Sequence, residues 1–285
     1  MERIKIAVQK KGRLSEKSLE LLGNCGIKVY NSDRKLKTSA GNFPMEVLFL
    51  RDDDIPKYVE QGVVDIGILG LNEVEEKNAD VNIVKQLGFA RCRMSLALPR
   101  EVPYASAKDL EGKKIATSYP VILQKFLDEK GVKAEIEVIG GSVEIAPNIG
   151  LGDAIFDIVS TGSTLQMNGL KEVETLMKSE AVLIGNKQIK SSAKAILEKL
   201  LFRIDAVQEA ANYKYILLNT SYDNLDNIIA TLPGIKSPTV VPLAEEGWCS
   251  VHSVIEEDDF WEIIDKLKTA GAEGILVTKV EKMIR

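Results

Sequence analysis

The feature that most constrains this chain is a rhythm in which short apolar runs of about five residues alternate with amphipathic stretches of about ten. Ile4–Val8 reads as a strand, and a helix follows through Leu22, with Ser15 as its N-cap and Leu14 and Leu19 as a hydrophobic staple. Val47–Leu50 and Asp65–Leu69 are strands on either side of a helix over Ile55–Gln61. Lys114–Thr117, Val121–Lys130 and Ala134–Ile139 repeat strand, helix and strand, and Ile155–Ser160 and Ala181–Ile184 continue the strand series. Strands separated by helices cannot pair as tight hairpins, so the pattern requires α/β layers with largely parallel sheets.

The rhythm also divides the chain of 285 residues. Residues 93–177 carry a βα series of their own, which makes 96–178 an insertion within a discontinuous first lobe, 1–95 plus 179–211. Gln188–Gln208 holds apolar residues at helical spacing, from Ile189 through Leu197 to Ile204, and reads as a connecting helix. After it come a strand (Lys214–Asn219), a helix (Asp223–Thr231), two strands (Thr239–Leu243 and Trp248–Ile255), a helix (Asp258–Ala270) and a strand (Gly274–Val280). That β-α-β-β-α-β order predicts a ferredoxin-like module over residues 212–285.

Composition removes several classes of function. The 37 basic and 42 acidic residues leave a net charge of −5, without the basic face that displaces counterions from nucleic acid. The three cysteines, Cys25, Cys92 and Cys249, are widely spaced, which excludes a disulfide framework or a zinc ribbon. Charge interrupts the first ten residues, and no apolar window is long enough to span a bilayer, so the expectation is a cytoplasmic protein without a membrane partner. His252 is the sole histidine and lacks the neighbours of a serine-hydrolase triad or a zincin helix; a strand-edge residue is the plainer reading.

Five turns carry the chemistry. In Asp157-Ile158-Val159-Ser160-Thr161-Gly162-Ser163-Thr164-Leu165 an apolar strand runs into hydroxyls and a glycine before a helical piece. Such a turn can aim N–H groups and hydroxyls at one phosphate, with Gly162 permitting close approach and Asp157 left to meet sugar hydroxyls. An ordinary hydroxyl-capped loop is the competing reading. Gly140-Gly141-Ser142-Val143-Glu144 offers another strand-to-helix turn, in which Glu144 is either a ligand or a cap. Gln9-Lys10-Lys11-Gly12-Arg13-Leu14 sets two cations around a glycine, which suits a polyphosphate or a solvated basic turn. Arg51 precedes three aspartates that either complement a helix dipole or serve a metal-bound phosphate, and Tyr119 offers a flat face for a base or for packing.

These stretches together resemble one family. Glu144, Gly150-Leu151-Gly152, Ile155-Phe156-Asp157-Ile158 and Thr161-Gly162-Ser163-Thr164-Leu165 match, in spacing, the signature of ATP phosphoribosyltransferase. Gln9–Ser15, Arg51–Pro56, Val63–Ile68 and Ala116–Pro120 follow its order, and Leu232-Pro233-Gly234, Pro242-Leu243 and Glu281-Lys282-Met283 are similar to its long form. The resemblance implies a catalytic part like the type II periplasmic binding proteins, followed by a ferredoxin-like, PII-like regulatory domain. It implies attack by N1 of ATP's adenine on phosphoribosyl pyrophosphate (PRPP) with Mg²⁺, as the first step of histidine biosynthesis. Ser160, Thr161, Gly162, Ser163 and Thr164 would then hold PRPP, and Asp157, Glu144, Lys10 and Arg13 would be catalytic. Asp157 and Glu144 would also meet the metal, while Gly12, Leu14, Arg51 and Tyr119 would bind ATP. Histidine and AMP are the inhibitors the resemblance implies, with histidine at Ser221, Ile235, Ser237, Thr239 and Gly274, in a homo-oligomer of dimers up to a hexamer. A solute-binding protein could use the same two-lobed cleft, although it would normally be exported and would not need two phosphate-type turns; a PII-like regulatory protein could use the last module alone, which leaves the residues before 212 unexplained.

Overall fold

The computed structural model describes residues 3–30, 36–232 and 237–285. It contains two compact units, residues 1–197 and 198–285.

The first unit holds two mixed sheets. Its opening segment comprises β1 (Ile4–Gln9), α1 (Arg13–Asn24), β2 (Lys37–Ser39), β3 (Met45–Leu50), α2 (Ile55–Glu60), β4 (Ile66–Gly70), α3 (Leu71–Glu76) and β5 (Asn82–Gln86). The chain then crosses into β6 (Cys92–Pro99), β7 (Lys114–Thr117), α4 (Pro120–Lys130), β8 (Glu135–Val138), β9 (Ala154–Val159), α5 (Ser163–Met167) and β10 (Leu170–Ser179). It returns through β11 (Ala181–Gly185) and leaves along α6 (Ser191–Ala210).

The sheet orders are β2-β3-β1-β4-β11-β5 and β10-β6-β9-β7-β8. Apart from edge strand β2, the two obey one rule. The first parallel strand lies between the second and third, and a strand from the far side of the crossing (β11 or β6) inserts antiparallel before the fourth. This is the two-lobed, type II periplasmic-binding-protein-like arrangement expected from the rhythm and the resemblance. The central strands are buried on both faces: Ile6, Ala7 and Val8 of β1 and Ile68 and Leu69 of β4 in one sheet, and Leu96, Ala97, Ile115, Ala116, Ile155 and Phe156 in the other. Near-continuous apolar runs are what a doubly covered parallel sheet needs.

Several local expectations change. Helix α1 starts at Arg13 with Gly12 as N-cap, so Ser15 is a buried residue of its first turn and Leu14 cannot staple from outside the helix. Strands β2, β5, β6 and β10 and helix α3 were not foreseen; β2 and α3 span only three and six residues, too few to show a period. The crossing falls earlier than residue 96, because pairing of β6 with β10 and β9 already begins at Cys92 and Arg93.

The second unit contains the end of α6, then β12 (Tyr213–Ser221), α7 (Leu225–Thr231), β13 (Thr239–Pro242), β14 (Trp248–Glu256), α8 (Phe260–Thr269) and β15 (Glu273–Lys279). Its sheet order, β13-β14-β12-β15, is antiparallel throughout, as a ferredoxin-like βαββαβ module requires. Ile216, Leu218, Val251 and Ile255 of the sheet pack with Ile228, Ile263 and Leu267 of the helices. The division between units lies inside α6 rather than at residue 212, because the helix end is tied to the chain terminus. Met283 N–H donates to the Ala206 carbonyl at 2.9 Å, and Arg285 pairs with Glu209 at 2.8 Å.

Candidate active site

Parallel strands deliver their carboxyl ends to one edge of a sheet, where α/β proteins place ligands. In the first sheet β1, β3 and β4 end at Gln9, Leu50 and Gly70, so the basic turn, the Arg51–Asp54 turn and α3 lie side by side. In the second, β7, β8 and β9 end at Thr117, Val138 and Val159, which assembles the Tyr119, Glu144 and Ser160–Thr164 turns. All five turns singled out above therefore stand on carboxyl edges.

A cavity of about 400 Å³ is lined by Glu144, Ile155, Asp157 and every residue from Ile158 to Leu165, with Arg13 contributed by α1 of the other lobe. Within the loop the Thr161 and Ser163 hydroxyls lie 3.0 Å apart, and Gly162 has φ +81°, a left-handed conformation that costs glycine nothing. A Cβ there would meet nothing closer than 3.9 Å, so the backbone, rather than crowding within the protein, calls for glycine. Helix α5 has only five residues, so hydroxyls and loop amides, more than a helix dipole, form the polar wall.

Asp157 accepts the Ile158 N–H at 2.8 Å. Burial and, secondarily, the nearby Glu144 carboxylate push its pKa up to about 6. Glu144 sits in a single 3-10 turn, Val143–Ile145, that has no side-chain cap, so the capping-box reading does not hold. Two mutually repelling carboxylates in a cavity suit a divalent cation. No cluster of three or more His, Cys, Asp or Glu side chains exists among the described residues. The pair therefore fits Mg²⁺ completed by water and substrate phosphates, and not an all-protein cage.

The other residues expected to be catalytic or to bind ATP are not on its wall. Lys10, Gly12 and Arg51 are exposed at the carboxyl edge of the first sheet, and Leu14 is half-buried in α1. Tyr119 packs its ring against the core of the second lobe. Its hydroxyl faces the Glu73 carboxylate and lies 3.5 Å from Asn72 Nδ2; burial raises the pKa of both Tyr119 and Glu73. Nearby, Gln9 Nε2 donates to Asp52 Oδ2 at 3.1 Å.

Sequence reasoning missed the residues that join the lobes. Glu76 of α3 accepts the Val121 and Ile122 N–H groups of α4, each at 3.0 Å, and so caps a helix of the opposite lobe whose first residue, Pro120, has no N–H. The three-residue spacing of Leu71 and Val74 in an acid-rich stretch was the available signal.

In the second unit the expected effector residues do not converge. Thr239 opens edge strand β13, whereas Gly274 lies in β15 at the opposite edge, three strand spacings or about 14 Å away. Ser221 ends β12, Ser237 precedes β13, and Ile235 lies outside the described residues.

Residues 51–206 match the family HisG, described as ATP phosphoribosyltransferase, and residues 210–282 match the HisG C-terminal domain. The chain is 60% identical over 281 residues to the ATP phosphoribosyltransferase of Bacteroides thetaiotaomicron, with 99% of each covered. It is 54% identical over 282 residues to that of Cytophaga hutchinsonii, again with 99% of each covered. Among solved structures it is similar to the ATP phosphoribosyl transferase (HisG:HisZ) complex from Thermotoga maritima, with a TM-score of 0.61 and 29% identity over 70% of this chain and 98% of that one.

Proposed function

Because this chain belongs to the ATP phosphoribosyltransferase family, we propose that it transfers the phosphoribosyl group of PRPP to N1 of ATP's adenine, releasing pyrophosphate. The observation that carries this reading is the cavity that gathers Arg13, Asp157, Glu144 and the Ser160–Leu165 loop. The loop holds the 5-phosphate, while Asp157 and Glu144 face the ribose hydroxyls. Arg13, with Lys10 and Arg51 at the rim, offsets the charge of pyrophosphate and ATP. Gly12 and Leu14 border ATP, and Tyr119 shapes the ATP side through its hydroxyl contacts. Asp157 and Glu144 would hold a substrate-borne Mg²⁺, which would supply further charge neutralisation of the leaving group.

The nucleophile is a neutral ring nitrogen, so no strong base must act before it attacks. Leaving-group charge is the larger barrier, and prepositioned cations address it. Holding both substrates in line supplies several kcal/mol more. The test is direct: with Mg²⁺, purified protein forms phosphoribosyl-ATP and pyrophosphate in equal amounts, and without it formation stops. A folded protein that binds both substrates yet releases no pyrophosphate is instead a two-lobed solute binder.

The same reading assigns catalysis to the two lobes of residues 1–197 and feedback control by histidine to the module of residues 198–285, in a cytoplasmic homo-oligomer built from dimers to a hexamer. AMP would compete in the cleft. Histidine binding to the full chain, measured by calorimetry with and without saturating PRPP, separates the two modes. Histidine competitive with PRPP refutes control from the last module.

A further inference from the structure

We propose that Arg93 is a positioning residue for the phosphate loop, acting through the Ser160 carbonyl to aim the Thr161 N–H into the cavity. This rests on the reading that the loop holds the PRPP 5-phosphate.

Arg93 lies on β6, opposite Val159 in the register, and so beside the point where β9 runs into the loop. Its Nη1 donates to the Ser160 carbonyl at 2.9 Å. The rest of the guanidinium is held in a fork: Nε reaches Glu172 Oε1 and Nη2 reaches Oε2, each at 2.5 Å. Glu172 also accepts from Ser95 at 2.8 Å and from Thr175 at 3.1 Å, and its pKa is pulled down to about 2, first by the hydrogen bond from Arg93. A planar donor bound twice to one carboxylate has little rotational freedom left, so its third contact is directional.

The consequence follows from peptide geometry. In a trans peptide the C=O and N–H point in opposite directions. With the Ser160 carbonyl pinned toward Arg93, the Thr161 N–H of the same peptide points away from it, and Thr161 lines the cavity. The next residue, Gly162, takes φ +81°, and so the chain can turn onto α5 without swinging that peptide back. Without the clamp a loop of small residues could rotate this peptide and present a carbonyl, which repels phosphate. Position 93 therefore needs geometry as well as charge: a lysine retains the cation but cannot hold two carboxylate oxygens and a carbonyl in one plane.

The test compares wild type, Arg93→Lys and Arg93→Gly by titration with PRPP and, separately, with ATP, alongside steady-state kinetics and hydrogen exchange of the loop peptide. Both variants are expected to weaken PRPP binding about tenfold or more, with ATP affinity within about twofold. The change should appear in the PRPP KM and in faster exchange of the Thr161 amide. Guanidinium ion added to Arg93→Gly should restore PRPP binding, which a general loss of packing would not allow. If Arg93→Gly fails to fold, Glu172→Gln, which leaves the arginine present but unforked, should show the same selective loss. PRPP affinity in Arg93→Lys equal to wild type, or equal losses for PRPP and ATP, overturns the proposal. Wild-type protein that does not bind PRPP refutes the functional reading itself.

Discussion

Replacing Asp157 by Asn should make the protein more stable above neutral pH while reducing turnover. The carboxyl has its pKa raised from 3.8 to about 6, chiefly by burial. A group that binds its proton more tightly folded than unfolded favours folding fully below the unfolded pKa. That advantage is lost as pH rises through about 6, where the buried carboxyl is forced to ionise. A shift of about 2 units corresponds to about 3 kcal/mol, and solvent at the cavity mouth reduces this to about 1–3 kcal/mol. Asn retains Oδ1 as acceptor for the Ile158 N–H and removes only the charge. Thermal unfolding at pH 8 should therefore rise by about 2–4 °C for each kcal/mol gained, with little gain at pH 4. Turnover should fall in the same variant, because the carboxylate proposed to meet ribose and metal is gone. Equal melting of wild type and variant at pH 8, or an equal gain at pH 4 and pH 8, refutes the claim that an ionised, poorly solvated carboxylate sits in this cavity.

Three further outcomes follow from neighbouring groups. With kcat/KM for PRPP followed against pH at low Mg²⁺, activity should climb through about pH 6 as Asp157 ionises, and the midpoint should fall as Mg²⁺ is raised; a flat profile from pH 5 to 8 counts against its role. Gly162→Val should destabilise the left-handed loop by about 1–3 kcal/mol and raise the PRPP KM more than the ATP KM; an unchanged PRPP KM moves the phosphate elsewhere. Glu76→Ala should strip two amides of α4 of their acceptors and cost about 2–4 kcal/mol in denaturant unfolding, whereas an exposed control such as Glu16→Ala should change little.

Much of the scaffold was legible because its strands are doubly buried and its helices punctuated. Runs such as Lys114–Thr117 have one dominant use, and the strand bounds there agree to the residue. The Ser160–Thr164 stretch was legible as a polar turn because hydroxyls and a glycine directly after an apolar strand are a local pattern. What the chain by itself determined was thus the layer type, the order of elements, the ferredoxin-like end and the turns that carry polar chemistry. Tertiary structure alone decided which turns share a cavity: Arg13 stands beside Asp157 only because two sheets present their carboxyl edges to each other. It likewise set Glu76 on a helix of the other lobe, Arg93 behind Ser160, and Thr239 and Gly274 at opposite edges of one sheet. The physical reason is range. Periodicity, capping and turn chemistry act over a few neighbouring residues, whereas hydrogen bonds spanning 45 and 67 positions, and the burial that raises the Asp157 pKa, exist only once distant strands have taken their order.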